Sequence, residues 1–113
     1  MKLPNGQRAY VGISKLTNYA LNPVHDLGKH KARVFASVLG LARKDAKKLR
    51  TALLEAAQHA QAKKAAKTNF GQLYSLDFYM TTDKGNARLR SGWIILNNED
   101  YPRLTSVYII TNS

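Results

Sequence analysis

Residues 74–96 read YSLDFYMTTDKGNARLRSGWIIL and contain the pattern that decides the fold. In the first part, apolar side chains alternate with other residues, at Tyr74, Leu76, Phe78 and Met80. A period of two is typical of a strand with one buried face. Asp83-Lys84-Gly85-Asn86 then has the composition of a hairpin turn, and residues 87–96 form a second strand. The stretch therefore predicts an antiparallel β-hairpin.

The sequence on either side of this hairpin predicts the remaining architecture. Residues 104–110 form a further strand after a turn at residues 97–100, with Pro102 at its entrance, where a missing N–H does least harm. Towards the N terminus the apolar period becomes helical. One helix is expected from Lys29 to Leu39, with Gly40 as its terminator, after a tight connection at residues 24–28.

A longer helix is expected from about Lys44, with Leu49, Leu53, Ala56 and Ala60 on one face. Its alanine- and lysine-rich end, residues 60–67, is expected to be a solvent-facing part of that helix. Helices followed by an antiparallel meander of three to four strands define the α+β class. A chain of 113 residues suits one such domain, residues 1–113.

The charge of the chain is the strongest indication of its partners. Eighteen Lys and Arg against seven Asp and Glu give a net charge of +11. Such a field attracts nucleic acid, an anionic membrane surface or an acidic protein. No apolar run reaches the roughly 18 residues that cross a bilayer, and no cysteine is present. A basic surface that serves only solubility is the alternative explanation.

Residues 22–35, NPVHDLGKHKARVF, place two histidines and three cations around the start of the helix predicted from Lys29. These are His25, Lys29, His30, Lys31 and Arg33. Cleavage of RNA without a metal needs a base for the 2′-hydroxyl, an acid for the leaving oxygen and cations for the phosphorane. Histidine moves protons near neutral pH. The spacing does not distinguish His25 from His30, and a lone histidine in a loop is more often structural.

A second group of polar residues lies within the hydrophobic strands. It comprises Arg88, Arg90, Ser91, Trp93, Arg103, Ser106 and Tyr108. Cations inside strands are costly to bury unless paired, so one sheet face is expected to be partly open. The arginines can hold phosphate, the hydroxyls can bond phosphate or ribose, and the two aromatic rings can stack a base. In the alternative interpretation, Trp93 and Tyr108 pack in the core, and the arginines are exposed at the edge of the sheet without a role in binding.

Motifs of other enzyme classes are absent from the sequence. It contains no phosphate-binding Walker loop, dinucleotide fingerprint, nucleophile elbow or His-Glu-x-x-His helix. The seven acids are scattered, which argues against a two-metal nuclease. We therefore predict no cofactor and no metal.

The motif Leu16-Thr-Asn-Tyr19-Ala-Leu21-Asn-Pro23-Val-His25, followed by Gly28-Lys-His30-Lys31-Ala-Arg33-Val-Phe35, resembles a bacterial domain family of unassigned biochemistry. The strand motifs 89–93 and 102–108 belong to the same resemblance. Such domains occur in polymorphic toxins and beside antitoxins, and their layout is similar to the barnase, EndoU, colicin and RelE-like (BECR) ribonucleases. Asp26 replaces a proline of that pattern, and Ser91 and Ser106 replace threonines.

This resemblance implies cleavage of tRNA or mRNA to a 2′,3′-cyclic phosphate in the bacterial cytoplasm, by a free protein or the C-terminal part of a secreted toxin. It implies catalysis by His25, Lys31, Arg90, Ser91 and Ser106. It implies RNA contacts from Lys29, His30, Arg33, Arg88, Trp93, Arg103 and Tyr108. An acidic immunity protein or antitoxin is the expected protein partner. The alternatives are a non-catalytic nucleic-acid-binding module and a basic partner of an acidic protein.

Overall fold

The computed structural model describes residues 1–25 and 29–111, so part of the predicted connection at 24–28 lies outside the described residues. Helix α1 comprises Ile13–Lys15 and continues as a π-helix over Leu16–Ala20, and α2 comprises Lys29–Val34 and continues as a π-helix over Phe35–Leu39. Helix α3 comprises Ala46–His59. Short 3₁₀ turns at Gly6–Arg8 and Arg43–Asp45 precede α1 and α3.

Four strands follow the helices and form one antiparallel sheet in the order β1-β2-β3-β4. They are β1 (Ala62–Lys67), β2 (Gly71–Thr81), β3 (Asn86–Leu96) and β4 (Arg103–Ile109). The α+β architecture, with N-terminal helices and then a β-meander, is therefore confirmed.

Strand β1 corrects the expectation that residues 60–67 continue a helix. Helix α3 ends at His59, and Lys63 pairs with Ser75 on the free edge of β2. Alanine and lysine favour helix locally, but hydrogen bonds to an existing sheet edge override that preference. Ala62 is buried in the core, and the exposed residues that follow it include three lysines, which discourage further strand pairing at this edge.

The sheet has one face in the core and one face towards solvent. The core side packs against the helices through Phe35, Leu49 and Leu53, and its strand residues include Leu76, Leu89, Trp93 and Val107. We call the other side the outer face. Cross-strand partners lie on the same face, and on the outer face Asp77 pairs with Arg90 and Arg90 with Tyr108.

The β2–β3 hairpin anchors the second helical segment to the sheet. The predicted turn is present, with Thr82 and Gly85 exchanging backbone hydrogen bonds of 2.8 and 3.2 Å. The Thr82 hydroxyl donates to the Leu39 carbonyl at 2.7 Å, and Lys84 Nζ donates to the Ala36 carbonyl at 3.2 Å. Gly40 ends the segment with φ 67°, a conformation that glycine adopts without strain. These contacts help hold α2 beside β4.

Strand β4 contains a bulge at Thr105. Gly92 pairs with Ser106 whereas Trp93 pairs with Leu104, so Thr105 is the additional residue. Bulges turn side chains out of the regular alternation and are frequent near functional sites. Here the bulge brings two adjacent hydroxyls to the part of β4 that faces α1.

Candidate functional site

Lys31 is the centre of the candidate site. Its side chain leaves α2 towards the edge of the sheet, where its Nζ lies 5.0 Å from the Tyr108 ring centroid and 5.6 Å from that of Tyr19. Both distances are typical of cation–π contacts. Among the described residues, no carboxylate lies within ion-pair distance of Lys31. The site therefore holds a half-buried cation whose charge aromatic rings orient but do not neutralise.

His25 lies on the other side of Tyr19. The two rings meet edge to face, with centroids 4.8 Å apart and planes at 71°. His25, Tyr19 and the bulge residue Thr105 line an open cleft of about 340 Å³ together with residues of α1. Tyr19 thus contacts both the histidine and the lysine, and it brings a proton-transfer group and a cation to one place. We call Tyr19, His25, Lys31, Arg90 and Tyr108 the Lys31 cluster.

Arg90 extends this cluster across the outer face. Its guanidinium donates to both carboxylate oxygens of Asp77, at 2.8 and 2.9 Å, and Arg88 donates to Asp77 at 2.8 Å. Hydrogen bonds to Asp77, and then to Tyr108, raise the pKa of Arg90. The pKa of Asp77 is lowered, chiefly by the hydrogen bond from Arg90. Two arginines share one carboxylate, so this group keeps a net positive charge.

The hydroxyls of Thr105 and Ser106 lie beside the cluster and have no hydrogen-bond partner among the described residues. A Cβ atom at Gly92 would be 2.8 Å from Thr105 Oγ1 and 2.9 Å from Ser106 Oγ, so the glycine leaves the space that the hydroxyls occupy. Neither hydroxyl makes a hydrogen bond within the described part of the chain. Both are therefore available to a ligand at the outer face.

The remaining predicted residues of α2 do not join the cluster. His30 and Arg33 are exposed and Lys29 is half-buried, and none of them contacts a ring or a carboxylate among the described residues. Successive helix residues are about 100° apart, so Arg33 points away from Lys31. It lines a separate apolar cleft of about 380 Å³ with Leu21. Of the two histidines, the structure therefore places His25, and not His30, against the Tyr19 ring that Lys31 also contacts.

Ser91 was predicted to be catalytic and Trp93 to bind RNA, and the structure contradicts both predictions. Both side chains are fully buried on the core side of β3. The Ser91 hydroxyl donates to the Leu76 carbonyl at 3.0 Å and accepts from Trp93 Nε1 at 2.9 Å. The serine satisfies the one polar group of the buried indole. Ser91 and Trp93 therefore serve packing and cannot touch RNA.

Arg103 was also predicted to bind RNA, but the structure gives it a carboxylate. It donates to both oxygens of Glu99 at 2.7 Å and lies 5.2 and 5.1 Å from the ring centroids of Tyr10 and Tyr101. A phosphate would have to displace Glu99 from this bidentate pair. Arg103 is therefore a structural cation at the opposite end of β4 from Tyr108.

Three residues of the site were not singled out from the sequence. Asp77 and Arg90 are equally distant from the hairpin turn and pair across it, so the register of the predicted hairpin could have indicated this ion pair. Tyr19 belongs to the resemblance motif but was given no role, because nothing local shows that α1 and α2 meet at β4. Thr105 depends on the bulge, which the regular alternation of β4 does not reveal.

Within residues 1–25 and 29–111, no three His, Asp or Glu side chains approach closely enough to share a metal ion. No helix in the same ranges is long and apolar enough to cross a membrane.

The chain matches a known family over residues 2–111, nearly its whole length. That family is described as "Domain of unknown function (DUF6883)", and the chain belongs to it. A comparison with curated proteins finds no match. The family description assigns no chemistry, so the function has to be argued from the Lys31 cluster.

Proposed function

We propose that this protein is a ribonuclease toxin domain that cleaves RNA with its own side chains. The observation that carries the proposal is the environment of Lys31. Its ammonium lies against two tyrosine rings without a carboxylate among the described residues, and His25 packs on one of those rings. A cation held in place but not neutralised suits an anionic ligand. A histidine beside it suits proton transfer.

The chemistry follows from this pairing. His25 accepts the proton of a ribose 2′-hydroxyl, and the 2′-oxygen attacks the adjacent phosphorus. The bond from phosphorus to the 5′-oxygen breaks, and the leaving oxygen takes a proton from the Lys31 ammonium. The products are a 2′,3′-cyclic phosphate and a 5′-hydroxyl. Arg90 stabilises the phosphorane through a guanidinium that Asp77 holds in position.

The hydroxyls of Thr105 and Ser106 bind the substrate beside the reacting phosphate. They face the outer side over Gly92 and have no hydrogen-bond partner within the described part of the chain. Arg88, which shares Asp77 with Arg90, adds positive charge for the flanking backbone. The substrate is RNA in the bacterial cytoplasm, and the 2′-hydroxyl is the group that distinguishes it from DNA.

We propose an acidic protein as the protein partner of this basic domain. The net charge of +11 favours association with an acidic immunity protein or antitoxin through electrostatic complementarity. The apolar cleft beside Leu21 has Arg33, Arg43 and Lys44 in its lining, a combination that suits an apolar side chain flanked by carboxylates. Such a partner is compatible with ribonuclease activity.

The test is incubation of the purified protein with total bacterial RNA in EDTA, followed by a denaturing gel. The His25→Ala, Lys31→Ala double variant is compared with wild type. The His30→Ala, Arg33→Ala double variant is the control, because it also removes one histidine and one basic residue, from positions outside the Lys31 cluster. We expect wild type and control to cleave and the first variant to leave RNA intact.

Two outcomes would contradict the proposal. Cleavage by the folded His25→Ala, Lys31→Ala variant would place the chemistry elsewhere. Intact RNA with folded wild type would instead favour a non-catalytic nucleic-acid-binding module, which is recognised by salt-sensitive binding without cleavage.

A further inference from the structure

The register of the sheet places one row of outer-face residues across all four strands. Ser106 of β4 pairs with Gly92 of β3, Gly92 pairs with Ser75 of β2, and Ser75 pairs with Lys63 of β1. Cross-strand partners lie on the same face. We call these four residues the hydroxyl row. It begins beside the Lys31 cluster and ends at the opposite edge of the sheet.

The chemistry of the row is that of a path for a polyanion. It contains two hydroxyls, one lysine and a glycine, with no acid. Lys63 is exposed and, among the described residues, no carboxylate lies within ion-pair distance of it. Gly92 has no side chain, and the Thr105 and Ser106 hydroxyls occupy the space above it, so a ligand that crosses Gly92 meets these two hydroxyls. The neighbouring row contributes Arg90, whose charge is only partly compensated by Asp77.

The shape of the surface agrees with this arrangement. An open groove of about 450 Å³ at the β1 side of the outer face is lined by Lys63 and Ser75 of the row and by the ion-paired residues Asp77, Arg88 and Arg90, among others. Neighbouring strands lie about 4.8 Å apart, so the row spans about 14 Å across four strands. A fully stacked strand rises by about 3.4 Å per nucleotide, so a single step between two nucleotides is much shorter than this row.

We infer that the hydroxyl row is an extended binding path for single-stranded RNA, with Lys63 as a phosphate subsite remote from the cleaved bond. This inference rests on the proposed function, because it takes the Lys31 cluster as the start of the path. The substrate is therefore an oligonucleotide longer than a dinucleotide. A dinucleotide reaches the Lys31 cluster but not Lys63.

Lys64 is a matched control for Lys63. It is the next residue of β1 and is also exposed, but it pairs with Tyr74 and lies on the other face of the sheet. Reversal of either charge changes the net charge of the protein equally. A difference between Lys63→Glu and Lys64→Glu therefore reports position and not overall charge.

The experiment measures binding of a fluorescent 2′-O-methyl RNA decamer and dimer by anisotropy at several salt concentrations. The probes lack the attacking hydroxyl, so binding is measured whether or not the protein cleaves RNA. We expect Lys63→Glu to raise the Kd for the decamer about fivefold, the upper range of an exposed ion pair. The slope of log Kd against log salt should fall by about one.

The dimer and the control define the outcomes. Lys64→Glu should leave the decamer Kd within about twofold of wild type, and the dimer should bind both variants and wild type equally. Equal weakening of the decamer by Lys63→Glu and Lys64→Glu would overturn the path, as would an unchanged decamer Kd with Lys63→Glu. Cleavage of total RNA tests the proposed function separately, so either idea can fail while the other survives.

Discussion

Two cations lie between tyrosine rings near opposite ends of β4, and among the described residues only one of them has a carboxylate partner. Arg103 lies about 5 Å from the rings of Tyr10 and Tyr101 and is also held by both oxygens of Glu99. Lys31 lies at similar distances from Tyr19 and Tyr108, with no carboxylate among the described residues. Aromatic contacts alone therefore do not distinguish a structural cation from a functional one.

The difference lies in how each charge is balanced. The bidentate pair with Glu99 raises the pKa of Arg103, lowers that of Glu99 and leaves little attraction for a further anion. Lys31 keeps its attraction for an anion, because an aromatic face orients a cation without cancelling its charge. The chain places a histidine against the ring beside Lys31. The Lys31 end of β4 is thus the end suited to phosphate.

Single substitutions at the two cations test this contrast most strongly. We expect Lys31→Ala to slow RNA cleavage by a factor on the order of 10² or more, the loss typical of one transition-state electrostatic group. Arg103→Ala should change the rate by less than about threefold, well below that loss, but lower the Tm. Cleavage rates and thermal unfolding of both variants provide the check. Equal loss of activity in the two variants would remove the distinction.

Ser91 and Ser106 lie on opposite faces of the sheet, so substitutions at them separate an effect on stability from an effect on RNA binding. Ser91→Ala leaves the Trp93 Nε1 donor and the Leu76 carbonyl without their buried partner, so we expect a loss of about 1–3 kcal/mol in the free energy of unfolding. Its cleavage rate at a temperature where it is folded should be unchanged. Ser106→Ala should keep wild-type stability and raise the KM for RNA. Urea unfolding and steady-state kinetics separate these effects, and the reverse pattern would contradict the face assignment.

Removal of the carboxylate at the Arg103 end should make that end resemble the Lys31 end. Glu99→Gln frees Arg103, so we expect the salt slope of RNA binding to steepen by about one, without new cleavage because no histidine lies there. The Tm should fall because the ion pair is lost. Binding titrations at several salt concentrations provide the measurement. An unchanged slope would show that Arg103 stays inaccessible to phosphate even without Glu99.

The same variant has a defined pH dependence. Arg103 lowers the pKa of Glu99 in the folded protein, so the pair's contribution to stability is present above the ordinary glutamate pKa and is lost as pH falls through the lowered value. Wild type should therefore lose more stability than Glu99→Gln on acidification. Asp77 also has a lowered pKa and titrates in both proteins, so the difference between the two curves isolates Glu99.

The sequence alone was enough to predict the α+β class, and it also named most of the polar residues of the candidate site. The alternation from Tyr74, the hairpin turn and the apolar stripe of α3 are local patterns, and local patterns set element type and order. The expectation that His25, Lys31 and Arg90 act together came from the family resemblance and stays a prediction. The assignment of residues 60–67 was wrong because pairing with β2, a tertiary contact, outweighed the helical preference of alanine and lysine.

Whether a predicted residue is accessible to a ligand depends on its tertiary contacts. Ser91 and Ser106 are both serines in strands, yet one satisfies a buried indole and the other lies beside a bulge on the outer face. Arg90 and Arg103 both have carboxylates, but only Arg90 adjoins the cation from α2. The face of a side chain depends on register, and its charge balance depends on residues distant in the chain. Neither property is contained in a local pattern.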